Sequence, residues 1–188
     1  MSKRKGVALA GLALAAALVT VPVAMSANGD EQASERAYVV RTLEDPSIDP
    51  IPPARCPGGP GGLFNANGFA YSIATRASDG MVVQEHPKRV GVVRTCGRVT
   101  SIAEGATAPD YAEIEIGGDS YTASGACRTT SIGVPQAGVV LAGCALRLQT
   151  GPDGFVGGIA TSASVVLLGP VPGFHTGSFW TLRVYSSN

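Results

Sequence analysis

The chain has 188 residues, with 14 Lys and Arg balanced by 14 Asp and Glu. Three of the basic residues, Lys3, Arg4 and Lys5, sit at the extreme N-terminus, so the remainder carries 11 basic groups against 14 acidic ones and Lys88 is its only lysine. A mildly acidic, lysine-poor surface lacks the basic footprint of a nucleic-acid partner or of an anionic lipid surface, and both are excluded as expected partners.

The N-terminus reads as an export signal. After the basic cluster, Gly6 to Val21 runs without a charge and is rich in Ala, Leu and Val. Pro22 breaks it, and the small residues Ala24, Ser26 and Ala27 follow. Charge, apolar core and small-residue exit are the layout of a cleavable secretory signal. The apolar core is shorter than the roughly 20 residues a spanning helix needs. Residues 1–27 are therefore expected to be removed, with Ala24 as the second-choice exit, leaving a protein that starts near Asn28 and has no membrane span.

Residues 28–62 read as a Pro/Gly-rich flexible tail. Pro46, Pro50, Pro52 and Pro53 hold such a chain extended, and the run Cys56-Pro57-Gly58-Gly59-Pro60-Gly61-Gly62 loosens it. That run lacks the Lys-Ser/Thr ending of a phosphate-binding loop. Ala33, Ala37 and Val40 form a stripe too thin to define a helix.

From Leu63 to Asn188 period-two alternation dominates, the mark of strands with one buried face. Sixteen valines against eight leucines after residue 27 favour a pleated sheet over helices. Phe69, Tyr71 and Ile73 alternate with Ala70, Ser72 and Ala74, and Asp79-Gly80 marks a turn. Arg89 to Thr95 is an apolar run that continues from Arg98 to Ile102, with a bulge expected at Gly97. In Tyr111 to Ile116, Ile114 and Ile116 face away from Glu113 and Glu115, and Gly117-Gly118-Asp119 closes a hairpin onto Ser120 to Ser124. Residues 138–149 and 155–168 form a long pair around Gly151-Pro152-Asp153-Gly154, and 174–185 closes the series. About eight to ten strands with turn-forming connections predict an all-β domain over 63–188. The expected form is a single antiparallel β-barrel, with a β-sandwich as the alternative.

Four cysteines, Cys56, Cys96, Cys127 and Cys144, suit an exported chain with two disulfides. Their separations of 40, 31 and 17 residues do not give the close pairs of a structural zinc site. The expected pairing is Cys56–Cys96, pinning the tail to the body, and Cys127–Cys144, across the bend containing Gly133, Pro135 and Gly138.

No residue pattern defines a catalytic, cofactor or metal site. His86 and His175 have no nucleophile in a Gly-x-Ser-x-Gly context beside them and read as surface histidines. Glu113 and Glu115 share a strand face, as a glycosidase pair could, but polar residues alternating with isoleucine are ordinary on the wet side of a sheet. Arg147 and Arg183 interrupt apolar strands and are expected to face outward. Phe69, Tyr71, Phe155, Phe174, Phe179 and Tyr185 are candidates to line a barrel mouth that receives an apolar or sugar ligand. The leading expectation is a secreted, non-enzymatic protein that binds a small ligand or an envelope component. The alternatives are a secreted hydrolase without a local motif and a cell-surface assembly protein that pairs through sheet edges.

Overall fold

The computed structural model describes residues 33–58, 61–76, 78, 81–83 and 88–187. The signal over 1–27, the Asp79-Gly80 turn and His86 lie outside the described residues. Among the described residues ten strands form in chain order: β1 (Ser34–Glu44), β2 (Gly62–Ser72), β3 (Ala74–Thr75), β4 (Val82–Val83), β5 (Arg89–Val99), β6 (Thr107–Ile116), β7 (Asp119–Ile132), β8 (Val139–Thr150), β9 (Phe155–Leu167) and β10 (Gly177–Ser186). Eight of them close into one antiparallel barrel in the order β1-β10-β9-β8-β7-β6-β5-β2, and β3 and β4 make a separate small hairpin. Every barrel strand pairs with its neighbours along the chain, so this is an up-and-down barrel closed by β1 between β10 and β2.

Two sequence expectations need correction. Ser34–Glu44, placed in the flexible tail, is a barrel strand, so the β domain begins well before Leu63. Its alternation is hard to see because the outward positions Ala37, Val39 and Leu43 are apolar too, while inward Val40 and Thr42 are buried. The second concerns Gly97: β5 runs unbroken from Arg89 to Val99, and the irregularity in its pairing with β2 falls at Ala70/Tyr71.

The proline-rich stretch after β1 is packed as well. Asp45 N–H donates to the Asn67 carbonyl at 2.8 Å, continuing the β1–β2 ladder as the chain leaves the strand. Ile48 and Ile51 are buried, and a turn of 3₁₀ helix, η1 (Pro53–Arg55), brings Cys56 onto the outer wall. There Ile51, Cys56 and Cys96 form a small core of their own beside Tyr111. The Cys56–Cys96 disulfide fixes this strap, and Arg55 secures it further: one guanidinium nitrogen donates to the Tyr111 hydroxyl at 2.6 Å, and the other lies 2.6 Å from Glu113.

The β6–β7 hairpin forms where the alternation placed it. Gly117 and Gly118 take φ of 64° and 95°, the left-handed pair that a two-residue hairpin turn requires. Ile114 and Ile116 point into the barrel and are buried, as are Leu146, Leu148, Leu182 and Val184 from the opposite strands. At this end Tyr121 packs edge-on against Phe155 and donates to Asp119, which also binds Arg36; Arg36 in turn donates to the Tyr38 hydroxyl. Burial is the main reason the Tyr121 hydroxyl is held well above the usual phenol range. Large side chains and this polar cluster close one end of the barrel.

Candidate functional site: a half-filled barrel

The other end is built from small residues. Following the inward positions towards the loops 45–61, 100–106, 133–138 and 168–176, several strands trade large side chains for small ones, most clearly β6 (Ile114 to Ala108), β8 (Leu146 to Ala142) and β10 (Leu182 to Ser178). Gly62, Ala66 and Gly68 on β2, Gly97 on β5, Ala108 on β6, Ala142 on β8, Ser164 on β9 and Ser178 on β10 leave the interior empty. The result is a cavity of about 370 Å³, mostly apolar, with Trp180 and Val93 marking where the packed half begins. This lies in the lower range of small-ligand sites.

Polar groups contribute little of the wall, and two sets of them stand on opposite sides, apart from Thr95 on β5 and Thr129 on β7. On the β9–β10–β1 side, the Ser178 hydroxyl donates to Ser164 Oγ at 2.7 Å, Ser162 and Ser164 hydroxyls are 3.3 Å apart, and Thr42 donates to the Ser178 carbonyl. Four strands around the ring in either direction from β10 stands β6, which presents Asp110. Asp110 is only 4% exposed, and no ion pair reaches it among the described residues. Its surroundings are the backbone of β5 at Gly97 and the Cys127–Cys144 disulfide, which joins directly paired positions of the neighbouring strands β7 and β8 on the inner wall. Burial pushes the Asp110 carboxyl up to about 7, against a partly offsetting hydrogen bond from the Tyr111 backbone N–H. Asp110, Cys127 and Cys144 place an oxygen and two sulfurs within 4.8 Å, but both sulfurs are committed to the disulfide and offer no thiolate to a metal ion.

The residues singled out in the sequence fall elsewhere. Both cysteine pairs form as expected, Cys56–Cys96 outside the barrel and Cys127–Cys144 inside it. His175 is exposed in the loop before β10. Glu113 and Glu115 lie on the outer wall, each beside an arginine, Arg55 and Arg94 respectively. Arg147 and Arg183 face outward as expected, and Arg183 donates to Glu35 at 2.6 Å. The aromatic expectation is overturned: Phe69, Tyr71, Phe155, Phe174, Phe179 and Tyr185 do not line the cavity, whose aromatic rings are Phe64 and Trp180. Phe69 lies under Arg89 on the outer wall, Phe179 is 45% exposed, and Phe155 belongs to the packed end. Asp110 had no signal of its own in the sequence, being one carboxylate in a strand that also carries two glutamates.

The fold and cavity define a small closed antiparallel barrel with one packed end and one hollow end. No protein-family model matches the chain, and no curated protein or solved structure does so either.

Proposed function

We propose that this chain is an exported, non-enzymatic binding protein that takes up a small apolar ligand in the hollow half of its barrel. The observation that carries this reading is the unfilled half of the barrel: a barrel of this strand number can be filled throughout, and here small inward residues such as Gly97, Ala108, Ala142 and Ser178 leave a cavity of about 370 Å³ among valines, Phe64 and Trp180. An apolar ligand would gain roughly 25 cal/mol for each Å² it removes from water there. A sugar finds less support, because few polar groups converge on the space. Assembly through sheet edges is also less favoured, since closure of the ring uses both edges of every barrel strand. Two disulfides suit an oxidising compartment, which agrees with the export signal expected over residues 1–27.

Titration with pyrene, a neutral apolar fluorophore, tests the binding reading. Saturable uptake with a one-to-one stoichiometry is expected, accompanied by a change in emission from Trp180, the single tryptophan of the chain. Ala142→Phe, which fills the space from β8, should abolish uptake while the protein remains folded. Failure of the wild-type protein to bind pyrene or any apolar competitor would refute the reading. Export is tested by the intact mass of protein recovered outside the cytoplasm, which should begin at Asn28.

A further inference from the structure

Resting on that binding reading, we infer that the cavity selects apolar molecules that carry one amine, with the Asp110 carboxylate receiving the ammonium group. A cavity meant only for hydrocarbon has no use for a carboxyl group at its wall. Burying an acid costs free energy unless a partner compensates it, and Asp110 has neither a cationic neighbour nor a side-chain hydrogen bond among the described residues. Its position is also structurally provided for. Gly97 stands opposite it in the β5–β6 ladder, and a Cβ there would come within 3.2 Å of Asp110 Oδ1 and collide with the Pro109 carbonyl. Glycine leaves room for the β6 backbone to approach and for the carboxyl group beside it.

The charges around the cavity suit a cation. Among the described residues, the charged ones that line it besides Asp110 are Glu44 and Arg128, both exposed at the rim and therefore well solvated. The elements packed against Asp110 contribute Gly97 from β5 and the disulfide sulfurs from β7 and β8, none of which titrates in the oxidised protein. An ammonium group placed there meets one uncompensated negative charge in a mostly apolar space, where a charge-assisted hydrogen bond is stronger than in water. The apolar body of the ligand then extends along Ala66, Ala142 and Val166. A carboxylate ligand would meet like charge at the same point.

Protonation makes the preference depend on pH. The Asp110 carboxyl titrates at about 7 in the free protein, and an ammonium ligand binds its ionised form. Amine affinity should therefore weaken about tenfold on going from pH 8 to pH 6, as the carboxyl must first lose its proton.

Competition against bound pyrene with decylamine, decanol and decanoate reads this directly. At pH 8 decylamine is expected to compete about tenfold better than decanol, and decanoate worse than either. In Asp110→Asn the amine-to-alcohol ratio should fall to about one, whatever the absolute affinities become. As a second readout on the wild-type protein, the carboxyl carbon of Asp110 followed by NMR should show its titration shifted to lower pH when decylamine is added. Equal competition by decylamine and decanol, or an unshifted Asp110 titration, would overturn the inference while leaving apolar binding intact. Absence of pyrene uptake and of all three competitors would instead remove the binding reading beneath it.

Discussion

Asp110 and Gly97 face each other across the β5–β6 ladder, and the buried carboxyl group owes its place to the missing side chain opposite. The two residues lie thirteen positions apart in the chain, yet the conformation of one depends on the identity of the other. As at Gly68, Gly91, Gly125, Gly158 and Gly177, a Cβ at residue 97 would collide with a carbonyl of the paired strand, here that of Pro109, and at Gly97 it would also crowd a buried carboxyl group.

Replacing that glycine gives the first prediction. Gly97→Ala forces the β6 backbone away and should cost roughly 1–3 kcal/mol, as overpacking does. Gly143→Ala is the comparison, since a Cβ there meets only the Ser162 carbonyl at 3.4 Å. Relief of backbone entropy should make that change neutral or stabilising by about 0.5–1 kcal/mol. Urea denaturation of both variants checks the contrast, and equal effects would show that the close approach of β5 and β6 is not what constrains residue 97.

Asp110 should also make stability depend on pH in the direction opposite to an ordinary salt-bridged carboxylate. Its carboxyl is raised in the folded state to about 7 from the ordinary value of 3.8. Between those limits the native protein holds the proton more tightly than the unfolded chain, so stability is greatest below pH 4 as far as this group is concerned. It falls as pH rises towards 7 and levels off above that. The full excursion is at most about 4 kcal/mol at 1.36 kcal/mol per pH unit. Asp110→Asn should flatten the profile in this window and gain stability at pH 8. Unfolding curves for both proteins at pH 4, 6 and 8 provide the measurement; parallel profiles would place the titration elsewhere.

The two disulfides should contribute unequally. Cys56–Cys96 spans 40 residues and Cys127–Cys144 spans 17. On the chain-entropy model these correspond to about 4 and about 3 kcal/mol, respectively. Removing the first as Cys56→Ala with Cys96→Ala should also free the strap of residues 45–58, which then becomes open to protease while the barrel persists. Removing the second alters the cavity wall and should change pyrene affinity. Limited proteolysis and pyrene titration of the two double variants separate these consequences, and cleavage in the strap of the second variant alone would reverse the assignment.

The β6–β7 hairpin supplies the last prediction. Ile116 is 2% exposed among the packed residues of the closed end, and its truncation to Ala should cost about 2–5 kcal/mol. Glu115 points outward and pairs with Arg94 at 2.7 Å where half of its side chain is in water. Glu115→Ala should therefore cost less than about 1 kcal/mol. Comparable losses from the two would mean that the inner and outer faces of β6 are exchanged.

The sequence by itself determined the class of fold and most of its pieces. Period-two alternation located β5 to β10, Gly117-Gly118 fixed the turn between β6 and β7, and of the three connectivities four cysteines allow, the favoured one is the one that forms, although the tail it was argued from is packed. These features are local, written in residues a few positions apart. Only the tertiary structure decided that Ser34–Glu44 joins the ring, because its outward residues are nearly as apolar as its inward ones and the alternation loses contrast. The hollow half of the barrel was equally hidden. Gly68, Gly97, Ala142 and Ser178 are small residues within separate strands, and they define a space only once antiparallel pairing brings the right ends of eight strands together. For the same reason Asp110 gave no sign of its position: burial is a property of the closed ring, set by what the other strands place around a residue, and no spacing along one strand encodes it.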